Sequence, residues 1–139
     1  MFVLLFLGSC SENLLDETTL TTSDKEYLEE IGVLKPGEEV QLFYTQGGFG
    51  GIKQSGNLIT SDRIAAYWME DGEKEIHSAL FASEIDSITT TDLVRNPFYS
   101  SYLKVYKTDG ATFNVYIDAD SVKTYQFFDQ ALDNLEAAR

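Results

Sequence analysis

Apolar residues recur along this chain with two different periods, and the change between them divides it. Residues 23–33 open on a capping-box pattern, Ser23-Asp24-Lys25-Glu26. They put Tyr27, Leu28 and Ile31 on one stripe, which predicts a short helix stopped at Gly32. Lys35-Pro36-Gly37 marks a turn, and beyond it the period falls to two. Strands are predicted over residues 40–45, 52–60, 63–70 and 74–82, with Asp71-Gly72 as the hairpin turn between the last two. A short strand over residues 84–88 precedes a polar loop running from Thr89 to Pro97.

The segment 98–118 is the clearest hairpin. Leu103 and Val105 share a face of its first strand; Phe113, Val115 and Ile117 share a face of its second. A two-residue loop would put these sets on opposite sides of the sheet. A three-residue loop, Thr108-Asp109-Gly110 with glycine in the left-handed position, puts them on the same side. That register sets Tyr102 opposite Tyr116 on the other face. Asp120 then caps a last helix with a stripe of Val122, Tyr125, Phe128, Leu132 and Leu135.

A length of 139 residues with 43% hydrophobic and 13% aromatic residues suits one folded domain. The net charge of −13 argues against nucleic acid, which demands clustered Lys and Arg, and against electrostatic docking on an anionic membrane. The single cysteine, Cys10, rules out an intramolecular disulfide.

Cys10 follows an apolar run, Met1 to Leu7, that is too short to cross a bilayer as a helix. Leu7-Gly8-Ser9-Cys10 resembles the lipobox of bacterial lipoproteins: an aliphatic residue, two small ones, then the cysteine. The resemblance implies lipidation of Cys10 and removal of what precedes it. Residues 1–9 carry no Lys or Arg and read as a truncated signal peptide. Residues 10–22, rich in Thr, Ser and acids, read as a solvated tether, and residues 23–139 as the domain. The expected location is the bacterial cell envelope, outside the cytoplasm.

About seven antiparallel strands closed by one amphipathic helix resembles the pleckstrin-homology superfold, in its bacterial and GRAM-like branches. Three stretches carry the resemblance: Leu34-Lys35-Pro36-Gly37-Glu38-Glu39-Val40, Gly56 to Ile64 with Thr60-Ser61-Asp62-Arg63 at its heart, and Ala82 to Ile88. The expected fold is therefore mainly β with α. It is a roll or partly open barrel with a short N-terminal helix and a C-terminal capping helix. Phosphoinositide-binding members carry a basic cluster in the first two strands. Only Lys53 and Arg63 stand there, so no phosphoinositide binding is expected.

No cofactor, metal or catalytic constellation is expected. His77 is the only histidine and stands within a strand, where a structural or surface role is the simpler reading. Gly47-Gly48-Phe49-Gly50-Gly51 lacks the order of a phosphate loop, and Phe49 at its tip is either a contact residue or tucked onto the sheet. Asp118 and Asp120 begin like a calcium loop, but Val122 stands where a third ligand would be needed. Tyr102, Tyr106 and Tyr116 share one sheet face beside Lys104 and Asn114. They are either cross-strand packing or an aromatic contact patch. The expected function is a membrane-tethered binding or adaptor module for a protein partner. The alternative is a small carrier of apolar ligands with a barrel cavity.

Overall fold

The computed structural model of the chain describes residues 20–45 and 51–139, together with the backbone of Leu14–Leu15. Helix α1 (Thr22–Glu30) starts two residues earlier than the Ser23 cap predicted. Thr21 is the N-cap: its hydroxyl accepts from the Asp24 N–H at 3.0 Å, while the Asp24 carboxylate accepts from the Thr21 N–H at 3.1 Å. An aspartate here does the reciprocal work expected of Glu26, which is why the box slid. Gly32 stops the chain with φ +90°, a conformation glycine adopts without strain.

Strands β2 (Val40–Tyr44), β3 (Ser55–Thr60), β4 (Arg63–Glu70) and β5 (Glu73–Leu80) form consecutive antiparallel pairs. A two-residue strand β1 (Leu14–Leu15) adds to the outer edge of β2. The expected tether therefore surrenders part of its length to the fold, and Leu20 is buried. Asp71 (φ 54°) and Gly72 (φ 82°) make the predicted left-handed turn between β4 and β5. Strand β3 begins later than expected because residues Gly51–Lys53 form a 3-10 turn, whose Ile52 carbonyl accepts the Tyr67 hydroxyl at 2.5 Å.

The second sheet pairs β6 (Ile85–Thr91), β7 (Ser101–Lys107) and β8 (Thr112–Ile117) in that order. Strand β6 runs three residues into the predicted polar loop. Thr89, Thr90 and Thr91 are β-branched, and β7 offers them partners at Lys104, Leu103 and Tyr102. The β7–β8 register matches the three-residue loop: Leu103 pairs with Val115, Tyr102 with Tyr116, and Gly110 sits at φ +94°.

The two sheets face each other across the main core as an open roll, mainly β, with α2 (Ser121–Ala137) packed onto it. The helix is capped by Asp120 as predicted, its carboxylate accepting from the Lys123 N–H at 2.8 Å. Its buried face is rotated from the predicted stripe. Thr124, Phe127, Phe128, Ala131 and Leu135 go inside, while Val122, Tyr125 and Leu132 are exposed. Phe128 and Leu135 belong to both stripes, so spacing alone left the helix free to turn by about a third of a circle or less.

A second core lies on the other face of the five-stranded sheet. There Leu28 and Val33 from the α1 region pack with Val40, Phe43, Leu58, Ala65 and Tyr67. Across β2 to β4 this sheet is buried on both faces, which explains the unbroken apolar runs Leu42-Phe43-Tyr44 and Ile64-Ala65-Ala66-Tyr67. The layers are tight: a Cβ on Gly56 would lie 2.5 Å from the Phe43 ring and 2.7 Å from the Tyr67 hydroxyl.

Two of the three stretches behind the pleckstrin-homology resemblance, Leu34 to Val40 and Gly56 to Ile64, meet at one structural joint. The Glu38 carboxylate accepts from the Lys35 N–H at 2.9 Å, the Thr60 hydroxyl at 2.7 Å and the Arg63 Nε at 3.0 Å. Thr60 also accepts the Asp62 and Arg63 N–H groups and so closes the β3–β4 turn. Both ion-pair side chains are nearly out of solvent. Arg63 is therefore committed to Glu38 and Ser78, the latter at 3.3 Å from Nη1.

Candidate binding surface

Alternation along β7 and β8 sends Leu103, Val105, Phe113, Val115 and Ile117 into the core, so their neighbours form the opposite face. No helix covers that face among the described residues. Tyr102 and Tyr116 pack there with ring centroids 5.3 Å apart, and Tyr116 remains 49% exposed. The Lys104 ammonium lies 5.4 Å from the Tyr106 ring centre, and the Asn114 amide donates to the Tyr116 hydroxyl at 3.0 Å. The three tyrosines predicted to share a face are thus brought together. Cys10 and Phe49 lie outside the described residues.

Beside this face the roll stays open along β8, and side chains close the seam. The Tyr44 hydroxyl donates to the Asp118 carbonyl at 2.7 Å and accepts from its N–H at 3.0 Å. The Asn57 amide donates to the Tyr116 carbonyl at 2.6 Å. Burial pushes the Tyr44 phenol up to about 12, so it keeps the proton it donates. Between these ties lies a groove of about 180 Å³ lined by Asn57, Ala66, Trp68, Asn114 and Tyr116.

His77 stands at the far side of this seam between Trp68 and Phe113, with ring centroids 5.2 Å and 5.5 Å away. Its nearest carboxylate, Glu75, is 3.9 Å off and half-exposed. With rings on both faces, the imidazole is a spacer in an aromatic stack. Among the described residues no group of three or more His, Cys, Asp or Glu is placed to hold a metal ion. Asp118 gives its backbone to Tyr44 and Asp120 caps α2, so the two share no site.

A third exposed apolar feature escaped the sequence reading. In the β6–β7 loop Phe98 is 84% exposed and Tyr99 70%, and Val122 in the first turn of α2 is 73% exposed. Side chains pin the backbone of this loop. The Asn96 side-chain oxygen accepts from the Phe98 N–H at 2.8 Å and the Tyr99 N–H at 3.2 Å, and the Ser101 hydroxyl accepts from the Leu93 N–H at 2.8 Å. Asp92 accepts from the Tyr125 hydroxyl at 2.5 Å, tying the loop to α2. That bond, with the Val94 N–H, holds the Asp92 carboxyl below its usual range, and it raises the Tyr125 phenol. The available signal was Asn96-Pro97, a turn dipeptide with two aromatics directly after it.

Compared with known proteins, the chain matches no family model, no curated protein and no solved structure. No helix among the described residues is long and apolar enough to cross a membrane.

Proposed function

We propose that this chain is a bacterial lipoprotein, anchored through Cys10 on the extracytoplasmic side of the cell envelope. Its pleckstrin-homology-like domain serves as a binding or adaptor module for a protein partner. It performs no catalysis of its own. The observation that carries this reading is the uncovered tyrosine face. Strands β2 to β4 are covered on both sides, whereas the second sheet leaves Tyr102, Tyr106 and Tyr116 on its outer face, with Tyr116 the most exposed. Tyrosine is enriched at protein interfaces because it joins a large rigid apolar area to a polar tip. The main core is filled by Phe127, Phe128, Ala131 and Leu135. The 180 Å³ groove beside this core has room for about one ring, since a cavity of roughly 150 Å³ holds benzene. An apolar carrier for longer ligands has less support.

Two measurements test the proposal. Cys10→Ser should move the protein from the membrane fraction to the soluble fraction, because stable anchoring needs two or more lipid chains. A wild-type protein that is already soluble with a free thiol refutes the localisation. Tyr102→Ser combined with Tyr116→Ser should weaken partner capture by more than about 1 kcal/mol with only a small loss of stability. If the melting temperature falls while affinity per folded molecule is unchanged, the tyrosines are sheet packing alone.

A further inference from the structure

We infer that the loop carrying Phe98 and Tyr99, together with Val122, is a docking surface for a neutral, zwitterionic bilayer. On it the anchored domain rests in a fixed orientation. The inference depends on the Cys10 anchor proposed above and adds to it a second, non-covalent membrane contact.

A short series of pairings links the anchored end of the chain to this patch. Leu14 pairs with Tyr44, the Tyr44 hydroxyl holds both backbone groups of Asp118, and Asp118 leads into the first turn of α2 at Val122. Ile117, one residue earlier, pairs with Ser101, which follows Phe98 and Tyr99 closely in the loop. Loop and helix start line one cleft of about 650 Å³ through Leu93, Val94, Ser121 and Tyr125. Cys10 lies four residues before Leu14, a span of at most about 14 Å even when fully extended. A lipid anchor on that sulfur keeps this corner close to the bilayer.

The residue types fit that surface. Tyr99, a ring with one polar edge, favours the headgroup boundary, and Phe98 and Val122 gain by leaving water there. Such side chains ordinarily fold back onto the protein, but Phe98 and Tyr99 stand in solvent. Charge selects the kind of bilayer. Asp92, Asp118 and Asp120 are exposed around the patch, against Arg95 in the loop and Lys123 beside Val122, and the whole chain carries −13. Anionic lipid would repel this corner.

The test uses the mature full-length protein in phosphatidylethanolamine–phosphatidylcholine vesicles. Phe98→Trp is read against the wild type, whose only tryptophan is Trp68. Phe98 is exposed, so an unchanged melting curve is expected and verifies the fold. The emission added by F98W should shift to the blue and lose intensity when the vesicle lipids are brominated near the headgroup. If the protein is anchored through Cys10 but that emission stays red and is quenched by aqueous iodide, the docking surface is refuted while the anchor stands. Emission shielded from iodide yet untouched by brominated lipid means that a partner protein or a second copy covers the patch, which also overturns the inference. Mass spectrometry showing an unmodified Cys10 thiol removes the anchor and the docking surface together.

Discussion

Phe127→Ala is expected to lower the stability of the domain by about 3–5 kcal/mol, while Val122→Ala changes it by no more than about 0.5 kcal/mol. Phe127 is fully buried between the sheets and α2, so its removal loses apolar contact and leaves a cavity that a two-sheet core cannot close. Val122 lies on the opposite side of the same helix, in solvent. Chemical denaturation of both variants measures the contrast. Comparable losses at the two positions would mean that the helix packs on the stripe predicted from spacing.

The second large effect is expected at the Glu38–Arg63 joint. Glu38→Ala removes an acceptor shared by Lys35, Thr60 and Arg63 and leaves the guanidinium nearly buried without its counter-charge. Breaking a buried pair from one side costs about 3–5 kcal/mol. The joint also predicts a pH dependence. Burial by itself raises the Glu38 carboxyl, but the Lys35 N–H, the Thr60 hydroxyl and Arg63 outweigh it and hold the group below the ordinary carboxylate value. With the folded-state value depressed, the stabilisation is fully present above the unfolded carboxylate range and disappears as pH falls through the folded value. Glu38→Gln should therefore flatten the acid limb of a plot of urea midpoint against pH. An acid limb as steep as wild type would remove Glu38 from that role.

Several particulars of the fold were legible in the chain. Parity between Leu103-Val105 and Phe113-Val115-Ile117 set the β7–β8 loop at three residues and so placed Tyr102 against Tyr116. Asp71-Gly72 announced its turn because few residues other than glycine and Asp or Asn accept positive φ. Of the candidate surface, the tyrosine face followed from that register. The Phe98-Tyr99 loop did not, because a hairpin reading absorbed Phe98 into the coming strand.

What the sequence by itself determined is whatever depends on neighbours along the chain: the alternation of the strands, the parity of the last hairpin, the Asp120 cap and the acidic balance. The tertiary structure alone decided which face of α2 goes inside, since Phe128 and Leu135 fit two stripes and only the shape of the core rejects Val122. It decided as well that α1 covers the far side of the five-stranded sheet, turning the runs in β2 and β4 into two-sided burial. Side chains distant in sequence, Tyr44 with Asp118 and Asn57 with Tyr116, tie the seam, and β6 holds its three threonines because β7 lies alongside. Burial and pairing are properties of the space between elements, and that space does not exist until the chain has folded.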